Sequence, residues 1–593
     1  FGEVRIDNVN GADVYLGPDD SRQANDLNWE SQTVKIAGTY FLDNHTITGG
    51  YEYENLEVFN LFMQHTIGEY RFNTIDDFEN GLADDIYYNN SAGTNNPNDA
   101  AANFEYATHA AYVQDEYVFD DVDLTIVVGL RYDWYTSSDT PRYNEVFHER
   151  YGYRNDHTLD GKNLLQPRFG FNYVVNDDLE VRGGFGLYSG GNPNVWISNA
   201  YSNDGIVQVG LRESGVDLFN TPMTGDGRPG YEIPQSMYDE IQNLPIGGGD
   251  GSVNAIDPNF EIPSEWKYSL GLTYTTEDDY VIAADILHNQ KQDSATITDA
   301  GIQYTGETTF DGRPTYERVA GRSSEFVLTN SDRDGKSTII SFALSKEFDF
   351  GLNATFSYAY TNSEDANPMT SAVAGSNYSN LATTDALNPA IATSNYEVPH
   401  RFTLNLSYAT QIFEGLDTRF SIFAQASEGQ PYSYTFYRSD REFGDRSWNS
   451  QGRQLLYIPT LDDPNVVYGD DFDKAAFDAF IESEGLTRGE ITKRNAQNAD
   501  WWVTVDLKIN QEIPGLYEGH KGNAFFVVKN FTNMLNDDWG VLKQGTFVGN
   551  RMVGMSIEDG KYVYESFQAA NAEQEFYTDA SLWEVRVGVS YEF

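Results

Sequence analysis

The sequence predicts an all-β fold, a transmembrane antiparallel β-barrel with long loops at one end and short turns at the other. Three observations support this prediction: a strictly alternating strand at the C-terminus, the recurrence of that pattern in pairs along the chain, and a high content of aromatic residues, 14% of the 593 residues. A barrel strand needs an apolar residue only at every second position, so a chain that is 40% hydrophobic suffices.

The C-terminal strand, residues 583–593, separates two kinds of side chain. Because side chains alternate across a strand, one face is apolar with aromatic residues at both ends, and the other is charged or small. A soluble sheet is the alternative. A terminal Phe593 after such an alternation is also typical of the strand that the barrel-insertion machinery of bacterial outer membranes reads. The apolar face consists of Trp583, Val585, Val587, Val589, Tyr591 and Phe593, and the other face of Glu584, Arg586, Gly588, Ser590 and Glu592.

Similar strands precede it in seven pairs, each joined by a short turn rich in aspartate, asparagine or glycine. We read residues 1–28 as a loop, and the pairs are 30–42 with 45–58, 104–119 with 123–136, 165–175 with 179–189, 263–275 with 279–291, 324–348 with 352–362, 399–412 with 416–427, and 500–512 with 521–531. Long insertions separate the pairs. With the last strand the count is about fifteen, each long enough to span a bilayer when tilted.

The lengths of the turns predict the orientation of the barrel, and the number of strands predicts that the barrel is incomplete. In bacterial barrels the short turns are periplasmic, so we expect a periplasmic C-terminus and a residue 1 in an extracellular loop. Such barrels have an even number of strands, so the count indicates either about fifteen of 22 strands with seven missing, or a complete porin of 16. The start, Phe1-Gly2-Glu3, is no signal peptide, which favours the first reading: one barrel domain, 1–593, incomplete at its N-terminus.

The composition excludes several functions. The chain has 38 lysines and arginines against 91 aspartates and glutamates, a net charge of −53, which argues against nucleic-acid binding. It suggests acidic loops that meet cations, or a high-salt habitat. There is no cysteine, the eight histidines show no His-x-x-x-His spacing, and we find no catalytic triad. We therefore expect no enzyme activity, no cofactor and no metal site.

Charged residues on the polar strand faces are candidates for lining a solute path, although pairing with each other in a wet lumen is the simpler interpretation. They are Arg131, Asp133, Arg168, Arg182, Arg401, Asp506, Lys508, Arg586 and Glu592. Aromatic residues on the apolar faces are expected in the membrane girdles. They are Tyr132, Trp134, Tyr173, Trp501, Trp583, Tyr591 and Phe593.

Four features of the predicted loops are weaker indications of a binding site or of a helix. Residues 331–335 lack most ligands of a calcium loop, so a solvated turn is expected. Acidic clusters such as Asp470-Asp471 could bind divalent cations together with lipopolysaccharide, but are more simply loop surface. Residues 471–485 have helical spacing and end at a glycine. The run Gly247-Gly248-Gly249 lacks the context of a phosphate loop.

Several stretches, taken in order, resemble the Oar-like TonB-dependent receptors. They are Val4-Arg5-Ile6, Val14–Pro18, Asn44–Glu52, Val58–Phe62, Ser189–Asn199, Asn367–Ser371, Pro399-His400-Arg401, Asn530–Asn533, Asn536–Gly540 and Ser581-Leu582-Trp583. The resemblance covers essentially the whole chain. It implies a barrel of 22 strands that is closed by an N-terminal plug, together with a TonB box and a carboxypeptidase-regulatory-like domain. We expect the plug, the TonB box, the regulatory-like domain and the first barrel strands to be missing from this sequence.

The resemblance implies active uptake of a scarce solute through the outer membrane. An unknown extracellular ligand would be captured by the loops, and segments 190–262 and 428–499 are long enough to fold over the mouth. The expected partners are outer-membrane lipid, lipopolysaccharide, the barrel-insertion machinery, and the TonB complex through the missing N-terminal part. A passive porin-like channel and a surface adhesin or secretion component are the alternatives.

Overall fold

The computed structural model describes residues 1–191, 193–228, 230–246, 250–319, 322, 324–447, 452–517 and 519–593. The glycine run 247–249 and Asn192 of the resemblance motif lie outside the described residues.

One antiparallel sheet dominates the molecule, and its strands neighbour each other in sequence order. We call it the wall sheet. Its strands are β1 Ala24–Leu42, β2 His45–Met63, β3 Ala102–Val118, β4 Leu124–Thr136, β5 Asn163–Asn176, β6 Leu179–Ser189, β7 Ser264–Thr275, β8 Val281–Gln292, β9 Lys336–Glu347, β10 Leu352–Asp365, β11 His400–Phe413, β12 Leu416–Ser427, β13 Trp502–Pro514, β14 Lys521–Lys529 and β15 Glu584–Glu592. The short strand Ala392–Thr393 adds to β10 and brings the sheet to 16 strands.

The wall sheet confirms the predicted fold class and the seven hairpins. Connections within a hairpin are short, as at Asp43-Asn44 between β1 and β2, whereas those between hairpins are long. We call the two ends of the sheet the short-turn end and the long-loop end. The total of 22 strands stays a prediction.

Two sequence predictions were wrong. Residues 1–28 are not one loop: Glu3–Val9 and Ala12–Leu16 form a hairpin, because Val4 and Ile6 alternate and bury their side chains in a loop core. The predicted strand 324–348 is two strands. Phe326–Asn330 leaves the wall and pairs with Ala295–Asp299, and only β9 continues in the wall.

The apolar face of the wall is exposed, as a lipid-facing surface requires. In β15, the edge strand, Val587 and Val589 are 75% and 69% exposed. In the interior strand β4, Val128 and Leu130 are still 54% and 43% exposed. A continuous apolar surface of this kind would be a liability in water and is stable against hydrocarbon.

Both edges of the wall sheet are free within the described residues: β1 pairs only with β2, and β15 only with β14. In hydrocarbon, unpaired backbone N–H and C=O groups each cost several kcal/mol, so both edges need a pairing partner in the membrane.

The long loops fold into small structures at the long-loop end. A five-stranded surface sheet runs in the order Gln208–Asp217, Leu82–Ser91, Glu69–Phe72, Glu3–Val9, Ala12–Leu16. A loop body has the four-stranded sheet Tyr434–Tyr437, Asn550–Glu558, Lys561–Phe567, Val466–Tyr468 around an aromatic core. A third sheet joins Ala255–Ile256, Phe326–Asn330 and Ala295–Asp299, and a hairpin joins Ile302–Thr308 to Pro314–Arg318. Two-residue pairs are Pro431–Tyr432 with Gln497–Asn498, Tyr457–Ile458 with Glu490–Ile491, and Lys543–Gln544 with Glu575–Phe576.

The helices are short and lie in the loops. They are α1 Ile75–Asn80, α2 Glu145–Tyr151, α3 Asn194–Ser202, α4 Gln235–Asn243, α5 Ala374–Ser379, α6 Lys474–Ser483, α7 Phe531–Leu535 and α8 Thr578–Ser581, with 3-10 turns at Asp20–Arg22, Pro97–Ala100, Asp440–Phe443 and Ala569–Ala572. Helix α6 confirms the helix predicted in 471–485, capped by the Asp473 side chain. Among the described residues, no helix has the length and apolar character needed to cross a membrane.

The largest core lies where the loops meet the long-loop end of the wall. It combines Leu56 and Val58 of β2 with Ile197 of α3 and with Ile297 and Leu328 of the third sheet. The loops are therefore packed onto the wall and onto one another, which gives them fixed positions.

A buried carboxyl group makes part of this packing sensitive to pH. Asp299 is 1% exposed, and its Oδ1 accepts backbone N–H groups of Gly301 (2.8 Å) and Glu325 (2.7 Å). Burial raises its pKa to about 6. The folded state therefore holds this proton more tightly than the unfolded chain, so the carboxyl's contribution to stability is complete below about pH 4 and is lost as pH rises through 6.

We predict that Asp299→Asn weakens this pH dependence, because the amide oxygen still accepts both N–H groups and carries no charge, and that the part contributed by buried Glu325 remains. In the wild type, protection of amides in 295–299 and 326–330 should fall between pH 4 and 7, by at most about 3 kcal/mol of opening free energy. Hydrogen exchange, corrected for the pH dependence of the intrinsic rates, measures this change in protection. The amides of wall strand β4 are the internal control. A wild-type profile that is flat across this range contradicts the prediction.

Candidate ligand site at the long-loop end

The predicted charged residues form local clusters on the polar face of the wall. The guanidinium of Arg131 lies between Glu52 (2.7 Å) and Asp133 (2.7 Å), and Lys35 contacts Glu52 at 2.5 Å. Gln166 donates to Asp133 at 2.6 Å. The structure thus brings Arg131 and Asp133 together, each already paired.

Arg168 joins this cluster through Gln166, and the remaining predicted charges lie in separate places, each beside its own neighbour. Arg168 donates to Gln166 (3.2 Å), Arg182 pairs with Asp285 (2.6 Å), Arg401 donates to Gln425 (3.1 Å), Asp506 accepts the backbone N–H of Asn530 (2.8 Å), Lys508 lies 6.0 Å from the ring centre of Phe525, Arg586 pairs with Glu584 (2.5 Å), and Glu592 lies opposite Lys521 in the strand register. The sequence-predicted charges do not converge on one site. Their role along a solute path stays a prediction.

The predicted girdle residues lie at two levels. Tyr132, Trp134, Trp501 and Trp583 are at the long-loop end, and Tyr173, Tyr591 and Phe593 are at the short-turn end. Tyr132 and Trp134 stack with ring centres 5.6 Å apart, and Trp501 stacks on Phe402 at 6.2 Å. Contact of these rings with the membrane interface stays a prediction.

A cavity of about 640 Å³ opens at the long-loop end, between the first two wall strands and the loops. We call it the mouth cavity. Its lining residues are Arg22, Asn25, Leu27, Asn60, Phe62, Gln64, Asn89, Val195, Ser198, Asn199, Ser202, Asn203, Gly205, Gln208, Gly210, Ser252, Asn254, Ser324, Phe326, Ala372 and Val373. Carboxamide and hydroxyl side chains dominate, and among the described residues no aspartate, glutamate, lysine or histidine lines it. Arg22 is the charged residue among the described lining residues. The lack of carboxylates is unexpected in a chain with a net charge of −53.

Helix α3 holds the cavity together. On one side, Asn60 of β2 donates to the Ser198 hydroxyl at 2.7 Å. On the other side, the Asn199 amide donates to the carbonyl of Ala372 (2.9 Å), and its oxygen accepts the backbone N–H of Ala374 (3.2 Å). The helix therefore joins the wall to the loop 366–399, and the polar lining belongs to elements with fixed positions.

Acidic residues adjacent in sequence to the lining point elsewhere and have their own partners. Asp204 accepts backbone N–H groups of Ile206 (2.8 Å) and Val207 (3.0 Å). Glu325, between two lining residues, pairs with Arg322, and burial raises its pKa to about 7. The lack of carboxylates in the lining therefore follows from the local folding of these segments.

Of the two loops predicted to contact solute, the structure brings only one to the mouth cavity. Segment 190–262 supplies ten lining residues, from Val195 to Asn254. Segment 428–499 builds the loop body instead and supplies none of the described lining residues. Sequence reasoning missed the contribution of the wall and of residues 372–373. The density of asparagine and serine in 194–203 was the available signal.

We predict that Asn199→Ala loosens the loop 366–399, because both side-chain hydrogen bonds to that loop are lost and the backbone N–H of Ala374 loses its acceptor. The expected cost is about 2 kcal/mol of local opening free energy, read from hydrogen exchange in residues 371–379. Asn243→Ala in α4, which removes one exposed bond to the Asp239 carbonyl, is the matched control and should leave that region unchanged. Equal protection of 371–379 in both variants refutes the prediction.

Solved structures of outer-membrane proteins are similar to this chain, and the likeness to one of them, at a TM-score of 0.51, agrees with the fold. The outer membrane transporter YddB from Escherichia coli is 11% identical, with 100% of this chain and 58% of that chain covered and a TM-score of 0.51. The FrpB iron transporter from Neisseria meningitidis (F3-3 variant) is 10% identical, with 95% and 55% covered and a TM-score of 0.43. The siderophore receptor PirA from Acinetobacter baumannii is 11% identical, with 90% and 54% covered and a TM-score of 0.42.

At these identities the likeness concerns the fold alone, and this chain spans little more than half the length of the three structures. A search of curated proteins found no significant match. The family model described as "Outer membrane beta barrel domain" matches residues 5–536, most of the chain. Together with the wall sheet and its exposed apolar face, this match shows that the chain belongs to the outer membrane beta barrel family.

Proposed function

We propose that this chain forms the barrel wall and outer loops of an outer-membrane receptor that actively takes up a neutral oligosaccharide. The observation that carries the proposal is the mouth cavity, which is lined by amides and hydroxyls without a carboxylate. The description of YddB as an outer membrane transporter supports transport as the general function. In this function the chain captures and transports the solute and catalyses no reaction.

The chemistry of the lining favours a neutral, hydroxyl-rich solute. Each carboxamide offers both donors and acceptors, which suits a hydroxyl that does both. Phe62 and Leu27, 39% and 57% exposed, offer apolar surface for the carbon face of a sugar ring. A short peptide would bring a charged amino terminus, for which no carboxylate lines the cavity. An anion would first have to approach strongly acidic loops.

The orientation in this proposal places the long-loop end outside the cell and the C-terminus in the periplasm. Solute then meets the mouth cavity first. Because α3 and the wall strands fix the lining, little side-chain ordering is needed on binding, so more of the hydrogen-bond energy appears as affinity. Release into the periplasm would need energy from the TonB complex, which acts through parts of the receptor other than the wall. Lipid and lipopolysaccharide would surround the exposed apolar face.

We predict that Asn25→Asp weakens oligosaccharide binding at least tenfold, since it places a carboxylate in the cavity at almost unchanged shape. Tenfold corresponds to about 1.4 kcal/mol. Calorimetry on the intact receptor in detergent, with neutral oligosaccharides of two to six units as probes, measures the affinity. Asn259→Asp is the control: Asn259 is exposed on segment 190–262, which supplies ten lining residues, and does not itself line the cavity.

Uptake of the bound oligosaccharide by whole cells tests the transport step. We expect it to require TonB, while binding to the purified receptor does not. Uptake that continues without TonB would identify a passive channel. Binding that prefers neutral peptides, or that is equally weak in both variants, would overturn the oligosaccharide assignment.

A further inference from the structure

Three potential metal ligands, two of them four residues apart and the third distant in sequence, meet beside the mouth cavity. Asp20 lies in the 3-10 turn before β1, His65 directly after β2, and Glu69 begins a strand of the surface sheet. Their ligand atoms all lie within 4.8 Å of one another. His65 Nδ1 is 3.4 Å from Asp20 Oδ2 and 3.3 Å from Glu69 Oε2. We call these three residues the rim triad.

These distances suit a small divalent ion. Zinc bonds to imidazole nitrogen and carboxylate oxygen are about 2.1 Å long, so two ligands of a tetrahedral site are about 3.4 Å apart. One nitrogen with two carboxylates is a donor set suited to a first-row transition metal; calcium and magnesium prefer oxygen alone.

The imidazole nitrogen that faces the two carboxylates makes no hydrogen bond with any described residue, and it is enclosed. The His65 side chain is 13% exposed and that of Glu69 is 3% exposed. His65 also holds a backbone φ of 59°, a left-handed conformation that is uncommon for a non-glycine residue. A buried nitrogen without a hydrogen-bond partner is costly, and a metal ion would satisfy it.

The surroundings carry an excess of negative charge. Glu3 lies opposite Glu69 in the parallel register and accepts the backbone N–H of Asp20 at 2.9 Å. Three largely buried carboxylates thus meet, and the guanidinium of Arg71 pairs with one of them, that of Glu69, at 2.6 Å.

We propose that the rim triad binds a divalent first-row transition-metal ion of the zinc class through His65 Nδ1 and one carboxylate oxygen each of Asp20 and Glu69. Arg71 holds the Glu69 carboxylate in place from behind. Three protein ligands leave a fourth position for water. The ion links the start of β1, the end of β2 and the surface sheet, so it is a cross-link between these elements at the long-loop end. Neighbouring Arg22 and Gln64 line the mouth cavity, so the bound ion also restricts the motion of one side of that cavity.

Titration of the intact, chelator-treated protein with Zn²⁺ tests the proposal, with cobalt(II) absorption as a spectroscopic readout of nitrogen coordination. We expect one equivalent of Zn²⁺ to bind and to raise Tm, since an ion that binds only the folded state stabilises it. His65→Ala and the near-isosteric Asp20→Asn should each weaken binding more than tenfold and abolish the rise in Tm. His148→Ala, in α2, is the matched control and should bind like the wild type.

Three outcomes overturn the proposal: no zinc binding by the intact protein, zinc binding that His65→Ala leaves unchanged, or calcium binding of equal strength that depends only on the carboxylates. In each of these cases the rim triad is a cluster of neighbouring polar side chains that binds no metal ion through His65. Heat-modified gel migration checks that each variant is folded, and oligosaccharide binding, measured separately, is not required for the result.

Discussion

Backbone hydrogen bonding between wall strands is the interaction on which the rest of the structure depends. In hydrocarbon a strand has no water to satisfy its N–H and C=O groups, so every strand needs two neighbours. This constraint sets the strand length and explains why the apolar residues can face outward. It also explains the asymmetry of the connections: a hairpin turn such as Asp43-Asn44 needs only to reverse the chain, whereas the other end is free to carry folded loops.

The loops are held together by almost fully buried ion pairs, whereas the ion pairs of the wall, such as Arg131 with Glu52, are partly exposed. Arg453 is 2% exposed and pairs with Asp445 at 2.8 Å, and Arg494 reaches Asp365 at 2.9 Å and backbone carbonyls of two segments. Removing one partner of such a pair leaves an uncompensated buried charge, which makes the pairing specific. In so acidic a chain, arginines used this way connect loop segments to one another, and among the described residues the mouth cavity is lined without carboxylates.

The fold was largely predictable from sequence, and the candidate site was not. Period-two alternation such as Leu124–Trp134 depends only on neighbouring residues, so all seven hairpins could be read directly. The break between Asn330 and Lys336 could not, because both halves alternate and only tertiary pairing separates them. The rim triad joins residue 20 to residue 65 across a hairpin, and a search for closely spaced histidine pairs does not find it. The mouth cavity likewise depends on how α3 packs, which no local pattern specifies.

The free edge of β1 bears directly on the mouth cavity. Asn25 and Leu27 lie on this edge strand, opposite Phe62 and Asn60 of β2 in the register, and all four residues line the cavity. In a membrane, β1 must pair on its other side as well, since an open edge is not tolerated in hydrocarbon. The pairing strand would place alternate side chains beside Asn25 and Leu27, about 5 Å away. The cavity is therefore bounded on three sides by groups that the structure defines and on the fourth by whatever strand completes the wall, and that strand has a direct influence on which solutes fit.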